Sequence, residues 1–347
     1  MARRGGRQGA PTIRLVASTA GVSTATVSRV FSKPHLLRES TVVHVKEVAA
    51  QLGYVPHHTA QALSTGRLGT IAVVVPDIAN PFFPPVIRAA QGHAYGAGFS
   101  TLLGDTDEDP AKEADLLATL EQRTDGIVLV SSRLPEDVVR RHARHRPLVL
   151  VNRDITGVAR VLVDSAAGVR QAVDHLAELG HQHITYVSGP DSSWSNQQRR
   201  SAVLEQSAAR GITATVQGAH RPEHDAGRAA TAEILASGAT AAIAFDDTIA
   251  QGILSGMAER GLAIPDDLSV IGCDDILAVN TYPPLTTIRS RISEAGRLAV
   301  EMLLQLVENR AEADAGEDDR MEPRHALTSS LIPRATTGPP IRRSRKG

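Results

Sequence analysis

One cysteine, Cys273, stands in a chain of 347 residues. A lone thiol excludes an intramolecular disulfide and suits a reducing compartment. Aromatic residues make up 3% of the chain, with a single tryptophan, so few rings are available to cover a ligand. Long hydrophobic runs are also missing. The longest, "IAVVVP" (71–76) and "GIVLV" (126–130), are strand-length, far short of the ~20 residues of a bilayer helix. The opening "MARRGGRQGAPTIRLVA" is basic with no apolar stretch behind it, so a secretory signal is not expected and a cytoplasmic protein is.

Familiar catalytic patterns are missing too. "YGAGFS" (95–100) lacks the third glycine of a dinucleotide fingerprint, and no P-loop, G-x-S-x-G or H-E-x-x-H occurs. Asp246 with Asp247 and Asp274 with Asp275 imitate paired carboxylates, but no activated nucleophile accompanies them. His142 and His145 lie three apart in "RRHARHR", whose positive charge repels a metal ion. Neither an enzyme nor a metal or cofactor is expected.

What the chain does have is uneven charge. The net value of −1 conceals nine Lys or Arg against two acids in residues 1–67, and four bases with no acid in the last ten residues. A basic head on an acidic body fits a polyanion partner. The head is also patterned. Ile13, Val16, Ala17 and Ala20 share a helical face that Gly21 ends; Ser23 can cap a second helix that buries Val27, Val30 and Phe31. A third helix carries Val42, Val45, Val48, Ala49 and Leu52, with Gly53 as its stop. This is a helix-turn-helix, whose second helix offers Thr24, Ala25, Thr26, Ser28 and Arg29 to the major groove.

The segments "GVSTATVSRVF" and "LGYVPHHTAQALSTGRLGTIAVVVPDIANPFF" resemble the LacI/GalR family of transcriptional regulators, and the likeness runs from about Thr12 to Arg334. It implies base-reading positions at Thr24, Ala25 and Arg29 and backbone contacts at Thr26, Ser28 and Thr41. It also implies a hinge helix beginning at His57, with Ala60 and Leu63 in its small-x-x-Leu pattern and Leu63 wedged into the minor groove. The chain departs from the family at Leu15, where an acid is usual, at Arg38, often a capping serine, and at Val42, often arginine.

Beyond Gly69, nine strand-like runs alternate with helical stretches, the pattern of parallel sheets covered by helices. Nine units exceed one comfortable sheet, so two lobes are expected, the second from about Ser165. Polar residues gather at strand ends: Asp77, Asn80, Asp105, Ser131, Asn152, Arg153, Asp246, Asp247, Asp274 and Asp275. Phe82, Phe83 and Trp194 could cover apolar ligand faces, one of the two phenylalanines serving the core instead. In open α/β sheets, ligands bind beyond the carboxyl ends of strands. The resemblance implies effector-site roles for Asn80 and Phe82 or Phe83, for Asn152 and Arg153, for Arg199 with Gln197 as its alternative, and for His220, Asp246 and Asp274. Asn152 and Asp246 each exchange the family's commoner acid or amide, which alters the hydrogen-bond code.

The expected fold is therefore an all-α helix-turn-helix head followed by an α/β core of two doubly wound, parallel-sheet lobes of periplasmic-binding-protein-like type I. The expected layout is a disordered basic segment at 1–10, a DNA-binding domain at 11–56 and a hinge at 57–67. A core at 68–337 follows, then a basic disordered tail at 338–347. Within the core, one lobe takes about 68–164 and 293–325, the other about 165–292 and 326–337. The expected function is that of a homodimeric repressor on pseudo-palindromic operator DNA, cytoplasmic and nucleoid-associated when bound. A small sugar-like effector between the lobes controls it. The competing readings are a free sugar-binding protein and a sugar-acting enzyme.

Overall fold

A computed structural model of the chain describes residues 11–32, 34–54, 67–218, 221–312 and 323–341. The chain divides near residue 70 into two compact units. The segments expected as hinge helix, with His57, Ala60 and Leu63, and as the basic start lie outside the described residues.

The first unit is three helices, α1 (Ile13–Ala20), α2 (Thr24–Ser32) and α3 (Glu39–Leu52). Thr12 Oγ1 accepts from Leu15 N and starts α1, and Gly21 ends it with φ of 67°. That left-handed turn suits glycine. Ser23 Oγ accepts from Thr26 N at 3.0 Å and opens α2. Arg38 precedes α3 without a side-chain cap. Val16, Val27, Val30, Val45 and Val48 meet in the centre, with Phe31 and Tyr54 packed at the rim. These side chains are small, so the unit has little apolar area to bury and modest stability.

The second unit holds two sheets. In lobe 1, β1 (Thr70–Val75), β2 (Ser100–Asp105), β3 (Gly126–Val130), β4 (Leu148–Val151), β5 (Ala159–Asp164) and β11 (Arg324–Thr328) run in the order β11-β5-β4-β3-β1-β2. In lobe 2, β6 (His183–Ser188), β7 (Thr213–Gly218), β8 (Ala241–Ala244), β9 (Ser269–Asp274), β10 (Thr286–Arg289) and β12 (Ser330–Ile332) run β12-β10-β9-β8-β6-β7. The β10–β12 pair is antiparallel; the other described registers are parallel. Each sheet reverses its winding between its first and third strands, the place where doubly wound sheets open a crevice.

Helices cover both faces, which is why the central strands are apolar throughout. On one face of the first sheet, α4 (Phe83–Gly96) and α11 (Ile292–Glu312) bury Val86, Ala90, Ala295 and Leu303 against Val73 and Val128. On the other, α5 (Pro110–Leu120) and α6 (Glu136–His145) press Leu117 and Val139 onto Ile127 and Leu129. Lobe 2 is covered by α7 (Ser165–Glu178), α8 (Trp194–Arg210), α9 (His224–Ser237) and α10 (Asp247–Glu259). A Cβ on Gly252 would overlap the His224 carbonyl, so α9 and α10 touch through backbone.

Three strands were not foreseen: β10, β11 and β12 are short and polar, without an apolar run. In β10, Thr286 and Thr287 are fully buried because their hydroxyls are satisfied, Thr287 donating to Asp247 Oδ1 at 2.6 Å. The chain passes between lobes three times, at Asp164–Ser165, after Arg289 and at Ser329. The last two differ from expectation. Ile292 packs into the first lobe's core, and β11 stays in the first sheet through Thr328, three residues beyond the expected 325. Ser329 ties two crossings together, accepting from Gly168 N at 3.0 Å and donating to Asp164 O at 2.6 Å. The expected disordered tail also begins too early, since Gly338 is docked: its carbonyl faces His181 Nε2 at 3.0 Å and its N–H donates to Ser269 Oγ at 3.1 Å.

Candidate functional site

In the first unit, α2 places its valines inward, so the intervening positions face out. Thr24, Ala25 and Arg29 are exposed, and Ser28 and Thr41 are half-buried. Thr26 is half-buried as well, its hydroxyl 2.9 Å from Ser23 Oγ. Small side chains at the start of a helix allow close approach to a groove, and a guanidinium two turns in can pair with guanine.

In the second unit, the carboxyl ends of both sheets converge on one narrow cleft, part of it open to solvent, at the place where open α/β sheets bind ligands. Lobe 1 contributes Asn80 beyond β1, Glu108 beyond β2, Ser131 and Arg133 beyond β3, and Asn152 beyond β4. Phe82 and Phe83, edge to face with centroids 5.1 Å apart, form its apolar wall. Both also pack into the lobe's core, so neither has only one role. Lobe 2 contributes Ser193, Ser195 and Arg199 from the start of α8, with Phe245 and Asp246 beyond β8 and Asp274 at the end of β9.

The local folding that aims these groups is visible in the backbone. Among the described residues, the non-glycine positions with positive φ are Asp107, Glu108, Ser131, Asn152, Asp274 and Asp275, all at carboxyl ends of strands. Such conformations cost energy and persist where the surroundings fix them. Glu113, buried on α5, does part of this, taking Arg133 N at 2.9 Å and the Ser132 hydroxyl. Arg133 then chelates Glu108, at 2.6 and 2.9 Å. On the opposite side Asn196 pins the start of α8 to the end of β6, with its Oδ1 accepting from Tyr186 Oη, Ser188 Oγ and Gly189 N. That leaves Ser195 and Arg199, one helical turn apart, on the cleft side.

Arg199 is the buried centre of lobe 2's half. Its guanidinium donates to Asp274 Oδ1 at 3.0 Å and to the Phe245 carbonyl, and lies 4.9 Å from the Phe245 ring centroid. Asp246 caps α10 through Ile249 N at 2.8 Å and accepts from Asn80 Nδ2 of lobe 1 at 3.1 Å. Asn152 Nδ2 makes a second cross-lobe bond, to Ser195 Oγ at 2.6 Å. Arg221 closes the mouth on Asp107 at 2.7 Å. Burial, and the nearby Asp274 charge, push the Asp246 carboxyl up to about 7, against the stabilising Ile249 N–H. Asp274 is raised by burial too, with Arg199 opposing.

Some expected residues serve elsewhere. Trp194, the first residue of α8, is half-buried but does not line the cavity; Ser193 and Ser195 face it instead. Arg153 is directed to the Leu134 carbonyl, at 3.4 Å, and is also outside the lining. Gln197 is exposed and donates to Asp191 O at 3.0 Å, which leaves Arg199 as the cleft residue of that pair. Asp247 holds the loop after β9 through Ile276 N and Leu277 N, and Asp275 pairs with Arg289 and Arg334. Asp77 and Asp105 accept from backbone N–H groups two residues on. His220 lies outside the described residues. Glu108, Arg133, Ser193, Ser195, Pro222 and Phe245 escaped the sequence reading. Only Arg133, a charge just past the "GIVLVSS" strand, carried a signal of position.

Residues 12–57 match the model of bacterial regulatory proteins of the lacI family, and residues 173–337 that of the periplasmic binding protein-like domain. The chain is 35% identical over 303 residues to the HTH-type transcriptional regulator GalS of Salmonella typhimurium, covering 85% of this chain and 89% of that protein. It is 32% identical over 312 residues to the HTH-type transcriptional repressor CytR of Escherichia coli, covering 87% and 91%. Among solved structures, the lac repressor dimer bound to operator and the anti-inducer ONPF superposes with a TM-score of 0.79 at 27% identity, covering 94% of this chain and 99% of that one. The complex of the transcriptional regulator CelR with cellobiose has a TM-score of 0.68 at 26% identity, covering 94% and 99%. Among the described residues no helix is long and apolar enough to cross a membrane. A helix-turn-helix head and a two-lobed α/β core with a polar cleft, in one chain with these relatives, belong to the LacI family of bacterial regulatory proteins, DNA-binding regulators of transcription rather than enzymes.

Proposed function

We propose that the chain is a homodimeric repressor, acting in the cytoplasm on nucleoid DNA, whose operator affinity is set by a small polar effector held between the lobes. The observation that carries this reading is the cleft itself. The Asn80–Asp246 and Asn152–Ser195 bonds join the lobes through side chains that also line the cavity. A ligand that takes over these polar groups alters the contacts between lobes, and can shift DNA affinity only by its differential affinity for the two arrangements.

In this reading Thr24, Ala25 and Arg29 read bases, and Thr26, Ser28 and Thr41 hold phosphates. His57, Ala60 and Leu63 form the hinge contact. Asn80, Phe82, Phe83, Ser131, Asn152, Arg199, Asp246 and Asp274 form the effector site, together with Glu108, Arg133, Ser195 and Phe245. His220, Arg153 and Trp194 stay candidates from the sequence. Large exposed apolar side chains, Tyr95 at 84% and Tyr282 at 97%, are what a dimer interface would cover.

Binding-site selection by the purified protein tests the DNA half, and a metabolite screen on the selected duplex tests the other. A pseudo-palindromic site with affinity altered by a small polar molecule is expected. Failure to enrich any sequence would refute the operator reading, and indifference of the complex to metabolites would refute the effector reading.

A further inference from the structure

The cleft has a charge balance that narrows what can enter it. We propose that the effector carries neither phosphate nor carboxylate and meets Asp246 with hydroxyl or ammonium hydrogens, an inference that rests on the effector reading above.

Among the described residues, the cavity lining holds three carboxylates, Glu108, Asp246 and Asp274, and two guanidiniums, Arg133 and Arg199. Both guanidiniums are committed within their own lobe. Arg133 grips Glu108 with two nitrogens and donates a third to Ser131 O at 2.7 Å. Arg199 donates from its terminal nitrogens to Asp274 and the Phe245 carbonyl, while its buried Nε has no hydrogen-bond partner among the described residues. Each guanidinium keeps N–H groups beyond these bonds, but an anion that reached one would sit beside the carboxylate already paired with it, in a lining whose carboxylates outnumber its guanidiniums.

Asp246 is the remaining carboxylate, 2% exposed, with two neutral N–H donors and no ion pair among the described residues. A carboxylate has about four acceptor positions, so two remain for ligand donors. Its raised pKa, about 7, fits a buried charge without a cation.

Helix N-termini, the usual alternative anion sites, do not restore the balance. The termini of α5 and α10 are already filled by carboxylates: Asp109 accepts from Ala111 N at 2.8 Å, and Asp246 from Ile249 N at 2.8 Å. That of α8 is capped by Ser193 Oγ. The outer groove repeats the pattern. It is lined by Asp107, Glu108, Asp109 and Asp191 against Lys112 and Arg221. Both bases already pair with Asp107, at 3.0 and 2.7 Å. An anion would meet a repulsive approach as well as a repulsive seat.

The test uses full-length protein on its selected operator. A metabolite extract of the source bacterium is split on an anion exchanger at pH 8, and each fraction is titrated against the complex by fluorescence anisotropy. The neutral and cationic flow-through is expected to shift the operator midpoint at least fivefold, and the eluted anions to leave it in place. Activity among the eluted anions overturns the proposal and leaves the effector reading standing; activity in neither fraction overturns the reading itself. Asn also caps helices, so Asp246→Asn keeps the start of α10. The variant is expected to need at least tenfold more flow-through, and an unchanged response would remove Asp246 from the assignment.

Discussion

Replacing Asp246 with Asn should make the core more stable at alkaline pH than at acid pH, relative to the natural chain. In the folded protein Asp246 titrates at about 7 against an ordinary 3.8, because burial and Asp274 disfavour its charge. A carboxyl with a raised folded pKa contributes stability that is fully present below its unfolded pKa and lost as pH rises through the folded one. At 1.36 kcal/mol per pKa unit, the ionised side chain costs the fold about 4 kcal/mol at pH 8 and roughly 2 kcal/mol at pH 5.

Asn removes the charge at both pH values. It keeps only one oxygen, so of the two bonds, from Ile249 N and Asn80 Nδ2, one is lost at about 1 kcal/mol. That loss shifts the baseline and leaves the slope. The variant's stability relative to the natural chain should therefore improve by about 2–3 kcal/mol between pH 5 and pH 8. Urea unfolding of both proteins across this range reads it directly. A difference that stays flat with pH, or falls toward pH 8, would refute the claim that Asp246 is a strained charge.

Arg29→Ala should lower affinity for the selected operator by roughly the 1–3 kcal/mol of one bidentate base contact and relax specificity at one base pair per half-site; Arg342→Ala should do neither, and equal losses in anisotropy titrations would contradict the assignment of α2. Arg199→Ala strands Asp274, a buried carboxylate, and should destabilise the core by about 3–5 kcal/mol, measured by urea unfolding at pH 7; a loss below ~1 kcal/mol would mean the pair is dispensable. Gly252→Ala forces a methyl into the His224 carbonyl and should destabilise lobe 2 by roughly 1–3 kcal/mol, seen as a lower melting temperature, whereas an unchanged melt would show that α9 and α10 separate freely.

The head was legible because its signals are local. Thr12, Gly21, Ser23 and Gly53 are caps and stops that act within four residues of themselves. The same holds for the central strands of both sheets, which are apolar because helices cover both faces. Strands β10 to β12 were not legible: the buried threonines of β10 are acceptable only through partners such as Asp247, forty residues away in the chain, and β11 and β12 are short and mostly exposed. The cleft divides along the same line. Asn80, Asn152, Asp246 and Asp274 end apolar runs and so declared themselves, whereas Phe245 reads as a strand residue until Arg199 is seen against its ring. Trp194 misled because scarcity made the one tryptophan conspicuous, and scarcity says nothing about which way a helix's first residue faces.

The three crossings between the lobes have a consequence for synthesis. The first unit is complete once residue 54 has left the ribosome, and domains commonly fold as they emerge. Lobe 1 cannot follow suit. One face of its sheet waits for α11, and its edge for β11, which come after almost all of lobe 2. For most of translation, then, a finished reading head trails a core with uncovered valines, the part of the nascent chain most in need of a chaperone. A message broken anywhere between the codons for residues 70 and 292 would encode a head with no finished sensor behind it.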